Sequence, residues 1–189
     1  TSAPAQRSQM PLIASVGHLV ARKRHADVLH ALVELPDVRY LVIGDGPERE
    51  PLAQLAAELG LDERVELAGQ LPHAAALERV REAWCFVMPS TEEAFGVAYI
   101  EAMAAGVPVA SMDVGDVAAM VAPENRRFIM PDERGLSDAI AILAGDAGLR
   151  AALGAANRAR AGRDFAETVM VDAYARLYGE ALAMPRILF

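Results

Sequence analysis

Two glutamates, Glu93 and Glu101, stand with seven residues between them in the stretch EEAFGVAYIEAMAAGVPVA, which is otherwise almost wholly apolar. A carboxylate accepts several hydrogen bonds and so suits the hydroxyls of a sugar or a ribose. Between the two acids the pattern changes from loop to helix around Phe95-Gly96. The first amides of that helix, at Gly96, Val97 and Ala98, lack intrahelical acceptors and carry the positive end of the dipole, which favours a phosphate. Glu101 lies roughly 7 Å further along the axis, about the separation of a phosphate from the ribose of the same nucleotide. Taken singly, Glu101 also reads as a solvated surface acid, and Glu93 as a charge near a positive helix end.

Of the 18 basic residues, 17 are arginine; Lys23 is the single lysine. It follows Gly17 by six positions in SVGHLVARKRH, a segment that leaves a strand through a glycine turn. Arginine and lysine are not interchangeable, and a lysine at this place offers a compact point charge for a phosphate. An exposed lysine at a helix start is the plainer reading of the segment alone. His18 stays open between packing at the strand end and facing a ligand. The cluster Gly44-Asp45-Gly46-Pro47 has phosphate-loop character but not the spacing of a dinucleotide fingerprint or a P-loop, and tight-turn glycines account for it.

Short apolar runs alternating with amphipathic ones must position these groups. Strands are predicted at 12–17, 38–43, 64–68, 84–90, 107–112 and 126–130. Helices are predicted at 24–35, 48–60 (closed by Gly60), 73–82, 96–105 and 115–121, with two or three more across 134–182. In the first helix Val28, Leu29, Leu32 and Val33 are expected on one buried side, and small residues at Ala102, Ala104, Ala105 and Gly106 should let the 96–105 helix press on a sheet. Alternating βα units imply an α/β fold, a Rossmann-like doubly wound parallel sheet of about six strands with a helical C-terminal end. Ligands of such sheets lie at the carboxyl ends of the strands, which is where Lys23, Glu93 and Glu101 fall.

A chain of 189 residues, 53% hydrophobic, is expected to form one domain over 12–182, with 1–11 a linker or added end and 183–189 a tail. The run Ala102–Met112 is bounded by charges and far shorter than the about 20 residues of a membrane span, so no transmembrane segment is expected. The single cysteine, Cys85, cannot form an internal disulfide, and a cytoplasmic setting is the expectation. A net charge of −8 argues against nucleic-acid binding.

PSTEEAFGVAYIEAMAAGVPVA resembles the Glu-x7-Glu signature of the donor-binding, C-terminal domain of retaining GT-B glycosyltransferases (glycosyl transferases group 1, family 4-like). SVGHLVARK resembles that family's phosphate loop, and YLVIGDGPERE, VELAGQLP and DFAETVMVDAYARLYGEAL resemble its following strands and closing helix. The resemblance spans residues 12–182. It implies half of a GT-B fold, whose missing N-terminal acceptor-binding domain would be the partner of this one. It implies a nucleotide-diphosphate sugar as donor substrate, no cofactor and no metal. Lys23 and Glu93 would be the catalytic pair. Gly17, His18, Lys23, Gly96, Val97 and Ala98 would hold the donor phosphates, and Glu93, Ala94 and Phe95 the donor sugar. Glu101 would hold the ribose, with Gln70 and Leu71 beside the base. The two glutamates would then hold hydroxyls rather than act as an acid/base couple.

The chain departs from the family at His18 (usually arginine), Arg24 and Ala94 (usually glycine), Asp116 (second glycine of a turn) and Ala119 (often glutamate). These departures keep a second reading open, a nucleotide-binding or scaffold domain of the same fold without transfer activity. A GT-B sugar-nucleotide epimerase is a third.

Overall fold

A computed structural model of the chain describes residues 10–93 and 95–183. Six parallel strands, β1 (Leu12–Val16), β2 (Arg39–Ile43), β3 (Val65–Gly69), β4 (Cys85–Met88), β5 (Val109–Met112) and β6 (Ile129–Met130), form one sheet in the order β3-β2-β1-β4-β5-β6. The chain winds outward from β1 in one direction and then, from β4, in the other. β1 and β4 therefore flank the topological switch point, and the loops after them face each other at its carboxyl edge.

Helices cover both faces. α1 (His25–Val33), α2 (Arg49–Glu58) and α6 (Glu133–Gly145) enclose one core, with Ile13, Tyr40, Val42 and Val87. α3 (His73–Glu82), α4 (Val97–Ala104), α5 (Val117–Met120) and α7 (Ala147–Asp164) enclose the other, with Ala14, Leu41, Phe86 and Val109. Successive strand residues point to opposite faces, so a sheet covered twice must be apolar at consecutive positions. This is why CFVM reads as an unbroken apolar run and LIASV is interrupted only by Ser15.

The predicted elements recur, with four corrections. Residues 126–130 are not a five-residue strand: a 3-10 helix runs over Pro123–Phe128 and only Ile129–Met130 pair with β5. Asn125 explains this, because its side chain replaces strand partners by exchanging bonds with the Val109 N–H and C=O at 3.0 and 2.7 Å. A 3-10 helix over Ala21–Lys23, absent from the expectation, precedes α1. Val33 is exposed at 52% and does not share the buried side of Val28, Leu29 and Leu32. Ala104 is exposed too; Tyr99, Ala102 and Met103 are what α4 buries.

The helical C-terminal end has three helices, and α7 is fastened to the sheet domain by Asn157. Its amide oxygen accepts from Ala122 N at 3.0 Å and its amide nitrogen donates to Asn125 at 2.9 Å. α8 (Glu167–Ala183) closes the described chain, with Met170, Tyr174, Leu177 and Tyr178 all more than half exposed. The proposed linker and tail fall mainly outside the described residues. Among the described residues, no single helix is long and apolar enough to cross a membrane.

Candidate functional site

The loop after β1 is zipped to the loop after β2. Gly17 N–H donates to Ile43 O at 3.0 Å and Leu19 N–H to Asp45 O at 2.9 Å. The fit leaves no room for a side chain at Gly44, where a Cβ would lie 1.9 Å from the Gly17 carbonyl oxygen. The GDGP cluster thus serves the structural role expected of it, shaping the ligand edge through its backbone. His18 is exposed at this edge rather than packed. Its Nδ1 lies 2.6 Å from the Asp45 carbonyl, and since a carbonyl only accepts, Nδ1 carries the proton. Nε2 of the neutral ring is therefore an acceptor.

Lys23 ends the 3-10 helix and is buried, not the exposed lysine of a helix start. The loop after β4 is strapped to the same turn, with Thr91 N–H donating to Arg22 O at 2.9 Å. Lys23 Nζ meets Glu93 Oε2 at 2.5 Å, with side chains 10% and 18% exposed. The ammonium also borders Gly17, 3.9 Å from where a Cβ of that residue would stand. Lysine and glutamate from opposite sides of the switch point therefore form one partly buried ion pair.

Gly96 caps α4 in the left-handed region, φ 72°, which only glycine enters at little cost. A Cβ there would lie 2.4 Å from the Tyr99 ring. The helix begins at Val97, one residue later than expected, so the amides of Val97 and Ala98 open its first turn. Tyr99 sets the tilt of α4: its ring packs edge-on against Phe86 and its hydroxyl bonds Ser111 Oγ at 2.8 Å. Phe95 and Val97 are exposed at the mouth of this loop. Ala94 lies outside the described residues.

Beside the ion pair runs a cleft of about 450 Å³, lined by Gly17, His18, Gln70, Leu71, His73 and Glu101 among others. Glu101 projects into it from α4, and both residues assigned to the base are on its wall. On the other side of the pair, Arg22, Glu92, Glu93 and Gly115 surround a second hollow of about 530 Å³. The structure thus brings Lys23, Glu93, Glu101, Gln70, Leu71, Gly17 and His18 to one edge of the sheet. Sequence reasoning missed His73, whose Nε2 lies 2.7 Å from Glu101 Oε1. Its position at the first residue of α3, directly after Leu71-Pro72, was the available signal.

A buried polar chain lies behind Lys23. Ser15 donates to Val87 O at 2.5 Å, so it accepts from Tyr40, whose hydroxyl in turn accepts from His25 Nδ1 at 2.8 Å. Burial, reinforced by the Lys23 charge, pushes the His25 imidazole down to about 4. Burial raises the Tyr40 hydroxyl, against its bond with Ser15, and pushes the Cys85 thiol up to about 12. Among the described residues no cluster of three or more histidine, cysteine or acidic side chains is arranged to hold a metal.

A doubly wound parallel sheet with a charged cleft at its switch point is a Rossmann-like α/β domain. The model of the family "Glycosyl transferases group 1" matches residues 3–160, and the chain belongs to that family. Relatives include the lipopolysaccharide core biosynthesis glycosyltransferase LpsD of Rhizobium meliloti, 33% identical over 174 residues, covering 91% of this chain and 50% of that protein. The 2-deoxystreptamine glucosyltransferase of Streptomyces kanamyceticus is 36% identical over 109 residues, covering 56% of this chain and 28% of that one. Among solved structures, sucrose-phosphate synthase from Thermosynechococcus elongatus superposes with a TM-score of 0.84 at 28% identity, over 93% of this chain and 46% of that one. Anabaena HepE in complex with UDP-glucose gives a TM-score of 0.82 at 21% identity, over 91% of this chain and 49% of that one, a likeness of fold. The chain spans about half the length of the first of these relatives.

Proposed function

We propose that this chain is the donor-binding half of a retaining, metal-independent glycosyltransferase acting in the cytoplasm. The whole protein would transfer a sugar from a nucleotide-diphosphate sugar to an acceptor hydroxyl. The observation that carries this reading is the placement of Lys23, Glu93 and Glu101 at one sheet edge, between a cleft on the side of Gln70 and Leu71 and a second hollow on the side of Glu93. Family membership and the glycosyltransferase activities of the relatives support it.

In this reading the base enters between Gln70 and Leu71, and Glu101 accepts from the ribose hydroxyls. The diphosphate lies against the amides of Val97 and Ala98 and draws Lys23 away from Glu93. That exchange releases the Glu93 carboxylate to accept from the sugar hydroxyls. When the bond between the anomeric carbon and the diphosphate breaks, negative charge grows on the leaving oxygen. Lys23 and the helix dipole stabilise it in place of a cation. The acceptor oxygen attacks from the same face, and its proton passes to the departing phosphate oxygen, so configuration is retained. A second domain would bring the acceptor. Without it the isolated chain should transfer no sugar, because positioning supplies much of the rate.

The test is calorimetry in the presence of EDTA with UDP, GDP, ADP and their hexose conjugates. One nucleoside diphosphate and its conjugate should bind, and Glu101→Ala should weaken both by about 1–3 kcal/mol. Absence of binding by every member of the panel would overturn the reading.

A further inference from the structure

His73 and Glu101 come from different helices, α3 and α4, and meet across the wall of the cleft. A carboxylate only accepts, so the 2.7 Å contact requires a proton on His73 Nε2. The contact engages Oε1 and leaves Oε2 of Glu101 to accept from a ligand. As a stabilising pair it is worth little, because the His73 side chain is 71% exposed and solvent screens the attraction. Its geometric consequence is larger. A free glutamate side chain rotates about three bonds, whereas this one is pinned at the tip by a ring that itself starts α3. α3 in turn begins right after Gln70-Leu71-Pro72, so the carboxylate and the loop assigned to the base are held in one frame.

We infer that His73 is a positioning residue for ribose recognition: it fixes the Glu101 carboxylate relative to the base loop and thereby sets the preference for ribose over deoxyribose. The inference rests on the nucleotide-binding reading above. It adds a residue that neither composition nor motif spacing pointed to, and a specificity that follows from its contact. With Nε2–H removed, Glu101 still lines the cleft but samples several rotamers, and ordering it on binding costs entropy that the native protein has already spent.

The experiment uses the full chain and whichever of UDP, GDP and ADP binds it, together with the 2′-deoxy and 3′-deoxy forms of that nucleotide. Wild type should bind the ribose form about tenfold more tightly than at least one deoxy form. His73→Ala should weaken the ribose form by up to about fivefold, within what an exposed pair can supply, and leave the disfavoured deoxy form at wild-type affinity, so that the preference narrows. His73→Gln, which keeps an N–H donor near the same place, should restore most of it. The thermal midpoint of His73→Ala should match wild type, as expected for a pair this exposed. Two results overturn the inference while leaving the nucleotide reading intact: a full ribose preference in His73→Ala, or an equal loss for ribose and deoxy forms. Failure of wild type to bind any of the three nucleotides sinks both together.

Discussion

Lys23 Nζ and Glu93 Oε2 lie 2.5 Å apart, joining segments 70 residues distant in sequence. The spacing of residues had assigned them to different parts of a ligand, the lysine to phosphate and the glutamate to sugar. In the folded chain each neutralises the other at the site where that ligand would enter.

This pairing gives the two substitutions opposite signs. Lys23→Ala should weaken a bare nucleoside diphosphate by about 1.5–3 kcal/mol, the loss of a charge-assisted contact. Glu93→Gln removes the competitor for the ammonium, so the bare diphosphate should bind at least as tightly as to wild type. The nucleotide sugar should lose affinity in the same variant. Calorimetry with both ligands reads this directly, and a weaker bare diphosphate in Glu93→Gln would count against the arrangement.

His18 presents an acceptor to the cleft while its ring is neutral, because Asp45 O fixes the proton on Nδ1. His18→Arg replaces that acceptor by a permanent cation and should strengthen diphosphate binding by about 1.5–3 kcal/mol through a charge-assisted bond. Calorimetry with the bare nucleoside diphosphate checks this, and an unchanged affinity would show that residue 18 does not face the phosphates.

His25 makes stability depend on pH. Its folded value, about 4, lies below the ordinary 6.5, so between those limits the unfolded chain binds more protons. The contribution is full above pH 6.5 and is lost as pH falls toward 4. The full loss amounts to about 3 kcal/mol. Urea unfolding across that window should show the decline in wild type and a shallower one in His25→Leu, whatever the absolute stability of the variant. Parallel profiles would remove His25 as the cause.

Arg24 is the one non-glycine residue with positive φ among those described, at 49°. Its guanidinium pairs with Asp27 at 2.6 Å and with Glu133 at 2.5 Å. The first of these, a hydrogen bond to Asp27, is the main cause that raises its pKa. The left-handed conformation costs a side chain roughly 1–2 kcal/mol, and exposed pairs return about 0–1. Arg24→Gly should therefore lie within about 1 kcal/mol of wild type. Arg24→Ala, keeping the strain without the pairs, should be less stable than the glycine variant by about 1 kcal/mol. Thermal unfolding of the three proteins checks the order, and an alanine variant as stable as the glycine one would refute the strain.

Much of this protein was legible in its residues, for reasons local to the chain. Consecutive apolar runs such as CFVM mark strands covered on both faces. Gly60 and Gly96 mark helix ends because their φ values, 68° and 72°, suit glycine. Gly96 and Glu101 could be placed on either side of a helix start from spacing alone, since positions within one helix have nearly fixed geometry. The tertiary structure decided what each of those groups touches. The burial of Lys23, its pairing with Glu93 and the bond from His73 to Glu101 depend on contacts across 70 and 28 residues. The first exists because β1 and β4 are neighbours in the sheet, and the second because α3 and α4 pack on the same face. The replacement of a strand by the 3-10 helix at Asn125 has the same origin: its partner is the backbone of Val109, supplied by β5 rather than by the segment itself. Local sequence fixes dihedral preference and periodicity, whereas the partner of a polar side chain is set by which elements the sheet order brings together.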